Sequence, residues 1–241
     1  MLFRTLILSR YKGKNLPNPS KESRIPNFLE RRIIRVIRDN LVYQDRDYDR
    51  ETDPVKKKEK ILYESEMTKL PSVLLPYYFS FQSDWVISPE QNHGEAHHPD
   101  YTVYTVDDDT RSYLLLEVKR GTKYDGDSWH KVLKDQMWNQ ADMAKQENGR
   151  LWMVGQNGFE ICFFKFDVER YNEGSPDYAN FKPLNLRNWS IEDFKSLEIE
   201  LITELVNNVE EIKVIKWRLD NDDHCSFIHE MFVFILNHGR L

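Results

Sequence analysis

The chain has 241 residues, of which 40% are apolar and 13% aromatic, enough for the core of one large domain or of a domain with an appendage. No run reaches the ~18 apolar residues of a membrane span, and the opening MLFRTLILSR is too short, and broken too early by Arg4, for a signal peptide. Cys162 and Cys225 lie far apart and indicate neither a disulfide framework nor a zinc pair. We expect an intracellular globular protein of the cytoplasm or nucleus, without membrane contact.

The net charge of -6 is unevenly distributed. Residues 1–38 contain ten Lys or Arg and two Glu, a net charge of +8, so the rest of the chain carries -14. A solvated basic face is the commoner explanation of such a segment, but it could also attract phosphates.

The first elements are helical. Residues 12–27 are rich in Lys, Pro, Asn and Ser and predict a loop or arm, followed by a helix that begins near Asn27 or Phe28. Its predicted apolar face consists of Leu29, Ile33, Val36 and Ile37. The charged segment 44–53 is typical of a linker, and Pro54 then starts a second predicted helix that ends near Leu70. Its KKKEK stretch, residues 56–60, indicates a solvated helix face more than a nuclear-targeting patch.

Three β-strands are predicted next, over residues 77–88, 98–106 and 112–119, because apolar, β-branched and aromatic residues are enriched there between turn-forming clusters. A helix over 128–146 follows, with Ser128 as its N-cap.

The dipeptide Asn157–Gly158 predicts a hairpin between two further strands. After a loop from Tyr171 to Arg187, the remainder reads as mainly helical from Ser190, with Asp193 three residues later as a near capping box. We divide the chain into a basic arm and helix (1–54), a core (55–170), and a loop with C-terminal helices packed on that core (171–241). The apolar FIHEMFVFILNHGRL at the end is either buried there or a docking surface for a dimer mate or protein partner.

The second and third predicted strands bring two acids together. If residues 107–110 form a four-residue turn, Val106 faces Arg111 and Asp100 stands opposite Glu117. Opposed side chains have Cβ atoms roughly 4.5–5.5 Å apart, and like charges at that separation are destabilising unless a cation lies between them. A shift of one residue in the register would place these side chains on the opposite face of the sheet.

Strand alternation gives Glu117 and Lys119 the same face as Asp100, while Leu114, Leu116 and Val118 point to the opposite face and into a core. The same register pairs Lys119 with His98. Two carboxylates with open positions for water and phosphate suit Mg²⁺ or Mn²⁺. That arrangement predicts phosphodiester hydrolysis, with Lys119 orienting the attacking water or stabilising developing charge.

Pro99-Asp100, followed after a hairpin by Glu117-Val118-Lys119 and then by a helix, resembles the PD-(D/E)xK nuclease superfamily. The resemblance covers about residues 55–166 and implies a restriction-endonuclease-like α/β core of order α-β-β-β-α-β, here with a basic helical extension before it and a helical segment after it. It implies that Asp100 and Glu117 are metal ligands and that Lys119 is the catalytic lysine.

The family often adds a Glu from its first core helix. We expect Glu66, or else Glu59, because both share the helical face of Leu62, whereas Glu64 lies on the other side. On the later helix, Gln136 and Gln140 resemble glutamines that some branches direct into the active site. The alternative is that both simply belong to an amphipathic helix.

We therefore expect a metal-dependent nuclease that acts on DNA, with Gln136 in the catalytic group. Nucleic acid would be held by Arg31, Arg35, Arg38 and Gln140. An RNA endonuclease of the same fold is one alternative, since related RNA-cleaving folds add a histidine near the first acid. A catalytically inactive member that binds nucleic acid or protein is another. His93 and His97 could form a separate metal site, although a loop is the better interpretation of their surroundings.

Overall fold

The structure is a computed structural model of this chain that describes residues 25–80, 85–89, 99–106, 110–124, 126–137, 139–140, 151–166, 181–183, 200–206 and 210–237. The fold is α/β, with helices flanking a mixed sheet. Within those residues, no helix is both long and apolar enough to cross a membrane.

A 3-10 turn (Phe28–Glu30) leads into helix α1 (Arg32–Arg50), which runs through most of the predicted linker. The predicted apolar face is wrong, because Ile33 is 62% and Val36 45% exposed. Charged residues interrupt the face that is buried, so an apolar pattern alone does not reveal it. That face recurs every three or four positions and consists of Ile34, Arg38, Leu41 and Asp45.

The single helix predicted from Pro54 to Leu70 is also wrong. Three short helices follow one another: α2 (Pro54–Glu59), α3 (Glu64–Met67) and α4 (Pro71–Tyr78). Asp53 caps α2 by accepting the Val55 N–H at 2.9 Å. Pro71 occupies the first turn of α4 instead of ending a helix, since its missing N–H would be unpaired there anyway.

The described strands form a sheet in the order β1-β2-β3-β4-β5-β8-β7, with β6 also paired to β5. Only β3 and β4 are parallel neighbours among them. Their bounds are β1 Trp85–Pro89, β2 Tyr101–Val106, β3 Thr110–Lys119, β4 Leu151–Asn157, β5 Glu160–Phe166, β6 Phe181–Pro183, β7 Glu200–Val206 and β8 Glu210–Arg218. The first predicted strand thus begins later than expected, because Tyr77 and Tyr78 belong to α4.

The predicted register of β2 and β3 holds at the end that bears the acids and fails at the turn. Tyr101 pairs with Leu116, as predicted, but Val106 pairs with Thr110 and not with Arg111. An irregularity between Val103 and Tyr104 absorbs the one-residue difference, as a β-bulge does. The predicted partner of Lys119, His98, lies outside the described residues, as do His93 and His97.

The predicted hairpin between β4 and β5 is confirmed, but its turn lies one residue further along the chain than predicted. Asn157 pairs with Glu160, so Gly158 and Phe159 form the turn. Gly158 has φ +63°, a conformation that favours glycine.

The mainly helical C-terminus is a wrong prediction. Strands β7 and β8 precede the described C-terminal helix α6 (Asp222–Asn237), while Ser190 and Asp193 lie outside the described residues. Most of the apolar side chains of α6 are buried within this chain, the first of the two alternatives given for this segment. The buried residues include Phe227, Ile228, Met231, Phe232 and Ile235.

Both faces of the sheet are covered. Leu114, Leu116 and Val118 belong to one buried cluster with residues of α1, α4 and α6, as the predicted alternation requires. Leu115 belongs to a second cluster on the opposite face. Its partners there include Trp129 of α5 (Trp129–Lys131) and Met137 of the π-helical segment that continues it (Val132–Met137). That second face also carries Glu117 and Lys119.

Candidate metal centre

Asp100 immediately precedes β2 and is tied to β3. Its Oδ2 accepts the backbone N–H of Val118 at 2.6 Å. Because Tyr101 pairs with Leu116 at the end of the ladder, the preceding residue Asp100 lies beside Glu117. The two carboxylates are therefore neighbours across the end of the β2–β3 ladder, as the sequence predicts.

Glu117 is buried among polar partners, with 3% of its surface exposed. Lys119 Nζ lies 2.7 Å from its Oε1, and Gln140 Nε2 donates to its Oε2 at 2.5 Å. With its amide nitrogen toward this carboxylate, Gln136 lies 3.1 Å from Glu117 Oε1 and its amide oxygen 3.3 Å from Lys119 Nζ. The structure thus brings both predicted glutamines to the acidic strand.

A glycine allows this helix to approach the sheet. Gly155 is the β4 neighbour of Glu117. A Cβ at Gly155 would lie 2.9 Å from Trp129 Cζ3, 3.0 Å from Met137 Sδ and 3.2 Å from Cys162 Sγ. The missing side chain therefore lets the helical segment that carries Gln136 pack directly over the acidic strand.

Among the predicted first-helix acids and Glu64, it is Glu64 that contacts the candidate group, whereas the sequence favours Glu66 or Glu59. The Glu64 Oε1 lies 3.3 Å from Lys119 Nζ. Glu66 forms an ion pair with Lys69, and Glu59 is exposed at the end of α2. Glu66 and Glu59 are predicted because they would share one face of a continuous helix with Leu62. The break between α2 and α3 removes that shared face. No pattern in the sequence marks this break clearly enough to have identified Glu64.

Burial disfavours the charged forms of both acids. Burial raises the pKa of Asp100 to about 7, with the charge of Glu117 adding to the effect and the Val118 N–H and Lys119 opposing it. Burial also raises the pKa of Glu117, although Lys119 and the Gln140 amide oppose that rise. Each carboxylate therefore gains from nearby positive charge.

Lys119 remains positively charged. Burial acts to lower its pKa, but attraction to Glu117 and Glu64 outweighs burial and raises the pKa above its ordinary value. A lysine in this setting donates hydrogen bonds and supplies charge, and it does not accept a proton near neutral pH.

The donor set fits a hard divalent cation. Mg²⁺ and Mn²⁺ prefer carboxylate oxygens and keep several waters, so Asp100 and Glu117 are sufficient protein ligands when phosphate completes the shell. Within the described residues, no group of three His, Cys, Asp or Glu side chains is arranged to hold a metal by itself. The buried Gln140 has an Oε1 without a hydrogen-bond partner among the described residues. Water bound to a cation would supply donors to such an oxygen.

The predicted nucleic-acid contacts divide into three groups. Arg31 and Arg35 are exposed, and the Arg31 guanidinium lies 5.4 Å from the ring centre of Tyr77. Arg38 is buried and structural, since its Nε donates to the Leu219 carbonyl at 2.7 Å, so its prediction as a phosphate contact is wrong. Gln140, with 2% of its surface exposed, donates to Glu117 and is too buried to contact nucleic acid directly.

In comparisons with known proteins, no family model, no curated protein and no solved structure matches this chain.

Proposed function

We propose that this protein is a Mg²⁺- or Mn²⁺-dependent nuclease that hydrolyses phosphodiester bonds in DNA. The observation that carries the proposal is the convergence of Asp100, Glu117 and Lys119 at one end of the sheet, with Glu64 against the lysine. This constellation resembles the PD-(D/E)xK arrangement, and we propose a restriction-endonuclease-like core on that ground. The raised pKa values of both acids give the group a physical reason to bind a cation.

Asp100 and Glu117 would hold the metal. When bound, Mg²⁺ or Mn²⁺ would polarise the phosphodiester and make a water molecule more acidic. The Val118 N–H fixes one oxygen of Asp100, and Gln140 fixes one oxygen of Glu117. These hydrogen bonds hold the carboxylates in position before the substrate arrives, which reduces the reorganisation needed during reaction.

Lys119 acts as a fixed positive charge. Its raised pKa excludes it as a general base near neutral pH, so it would orient the attacking water by donating a hydrogen bond, or stabilise charge that develops on the phosphate. The Gln136 amide bridges Glu117 and Lys119, which also contact each other directly, and so orients both side chains. Glu64 holds the lysine from the other side.

The proposal is tested by incubating end-labelled single- and double-stranded DNA and RNA with the protein in Mg²⁺, Mn²⁺ or EDTA. We expect metal-dependent cutting of DNA that is lost in Asp100→Asn and Lys119→Met. Glu66→Gln, which removes an acid whose ion pair among the described residues is with Lys69, is the matched control and should cut normally. Cutting of RNA alone would reassign the substrate, and binding without any cutting would show a non-catalytic member of the fold.

A further inference from the structure

Tyr63 presents an aromatic ring to solvent from a rigid backbone. The side chain is 58% exposed. Its carbonyl accepts the N–H groups of Glu66 at 2.9 Å and Met67 at 3.2 Å, which fixes it as the N-cap of α3. The flanking residues Leu62 and Met67 are buried, at 2% and 0% exposure. An exposed ring on so firmly anchored a segment loses little further freedom when it binds a ligand.

Tyr63 is the chain neighbour of a residue that contacts the proposed catalytic group. Glu64, the next residue in the chain, contacts Lys119 at 3.3 Å. At the C-terminal end of α3, the Thr68 carbonyl accepts a hydrogen bond from the Tyr101 hydroxyl at 3.2 Å. Tyr101 directly follows Asp100 in the chain. A nucleotide near the scissile phosphate would therefore come within reach of Tyr63.

The preceding helix α2 supplies positive charge close to Tyr63 in the chain. Lys60 is engaged with Glu51 at 2.9 Å and Asp47 at 3.1 Å, and Lys57 lies 4.7 Å from the ring centre of Tyr48. Lys56 and Lys58 are exposed and form no ion pair with the residues that the structure describes. Four residues lie between Lys58 and Tyr63 in the chain, so the two Cα atoms are no more than about 18 Å apart.

Arg31 and Arg35, by contrast, lie toward the other end of α1. The Tyr48 end of α1 contacts the segment just after Lys119, because the Tyr48 hydroxyl donates to the Lys123 carbonyl at 3.3 Å. Arg35 is about 20 Å from Tyr48 along the helix axis at 1.5 Å per residue. The lysines of α2 are therefore better situated for a strand bound at the catalytic group.

We propose that Tyr63 and Lys58 form a surface that binds a single strand of DNA beside the catalytic group; this rests on the proposed nuclease function. Alternating basic and aromatic groups bind unpaired strands, because phosphates pair with the basic side chains while a base stacks on the ring. In a duplex the base faces are already stacked, so Tyr63 would add little to duplex binding. The surface thus makes an unpaired strand the preferred substrate.

The test is a binding titration in EDTA, where the wild-type protein does not cut and no substitution is needed to prevent cleavage. The probes are a fluorescein-labelled single-stranded DNA, a hairpin duplex and a single-stranded RNA of the same sequence. Tyr63→Ala should weaken single-strand binding about 5- to 140-fold, the loss expected from one stacked base. Duplex binding should change less than about twofold, and Tyr63→Phe should bind the single strand like the wild type because it keeps the stacking ring.

Two further variants serve as a control for the tyrosine and as a measure of the phosphate contact. Tyr43→Ala removes a tyrosine that is 69% exposed on the outer face of α1, and it should leave binding unchanged. Lys58→Gln should reduce the slope of log affinity against log salt by about 0.7, the value for one phosphate contact on a single strand.

Failure of the wild type to bind the single strand, equal losses for single strand and duplex in Tyr63→Ala, or tighter binding of RNA would overturn the proposal. Cleavage by the wild type in Mn²⁺, measured separately, reports on the nuclease function alone. The two proposals can therefore fail independently.

Discussion

Replacing Asp100 by Asn should stabilise the metal-free protein at neutral pH. The folded-state pKa of Asp100, about 7, lies above its ordinary value of 3.8. The folded protein therefore keeps a proton that the unfolded chain releases, and the free energy of unfolding falls as the pH rises from about 4 to 7. Asn removes this titration and can still accept the Val118 N–H through its carbonyl oxygen.

The magnitude follows from the size of the shift. A rise of the pKa from 3.8 to about 7 corresponds to on the order of 4 kcal/mol in the free energy of unfolding. The wild type loses this stability as the pH rises across that range, and Asp100→Asn does not. For a chain of this length, 1 kcal/mol moves the melting temperature by about 2 °C, so the variant should melt roughly 8 °C above the wild type at pH 8. At pH 4 the two proteins should melt within about 1 °C of each other, because the wild-type carboxyl is then protonated.

The assay is thermal unfolding of both proteins in EDTA from pH 4 to 8, repeated with Mn²⁺. Added Mn²⁺ should raise the melting temperature of the wild type at pH 8 and narrow its difference from Asp100→Asn. Asp39→Asn, on the exposed side of α1, controls for the loss of one negative charge. A difference in melting temperature between wild type and Asp100→Asn that is constant from pH 4 to 8 would contradict a raised pKa of Asp100, as would a variant that is less stable at pH 8.

Three further outcomes are expected. Glu64→Gln should lower metal-dependent cleavage about 10- to 100-fold, as loss of a supporting carboxylate does, while Glu66→Gln should stay within about twofold in the same assay. Arg38→Met should destabilise by about 1–3 kcal/mol in urea unfolding because the Leu219 carbonyl loses its donor, whereas the exposed Arg35→Gln should change stability by about 0.5 kcal/mol or less. Gly155→Ala should cost about 1–3 kcal/mol by the same measurement and reduce cleavage, because its Cβ would displace the helical segment over the site.

The central pair was predictable because strand geometry has a period of two. Alternation alone gives Glu117 and Lys119 one face and Leu114, Leu116 and Val118 the other, and the three apolar residues are buried. Asp100 was predicted beside Glu117 from a turn that is one residue too long. The prediction still holds because the irregularity between Val103 and Tyr104 shifts the register back by one residue. The Asn-Gly hairpin was predictable because few residues other than glycine adopt the positive φ of Gly158.

Contacts between distant parts of the chain were not predictable. Arg38 and Leu219, which form a hydrogen bond, are 181 positions apart in the sequence. Nothing near Arg38 distinguishes it from the exposed Arg35, so both look like phosphate contacts. Similarly, Glu64 is selected over Glu66 by the interruption between α2 and α3, which depends on the burial of Leu62 and Met67 against the rest of the core.

The most direct test of the central claim, that Asp100 and Glu117 together hold a divalent cation, is calorimetric titration of the folded protein with Mn²⁺ at pH 7.5. We expect saturable binding that weakens at least about tenfold in both Asp100→Asn and Glu117→Gln and is unchanged in Glu66→Gln. Binding of equal strength in the wild type and both carboxylate variants, with all proteins folded, would contradict the assignment of the metal to this site.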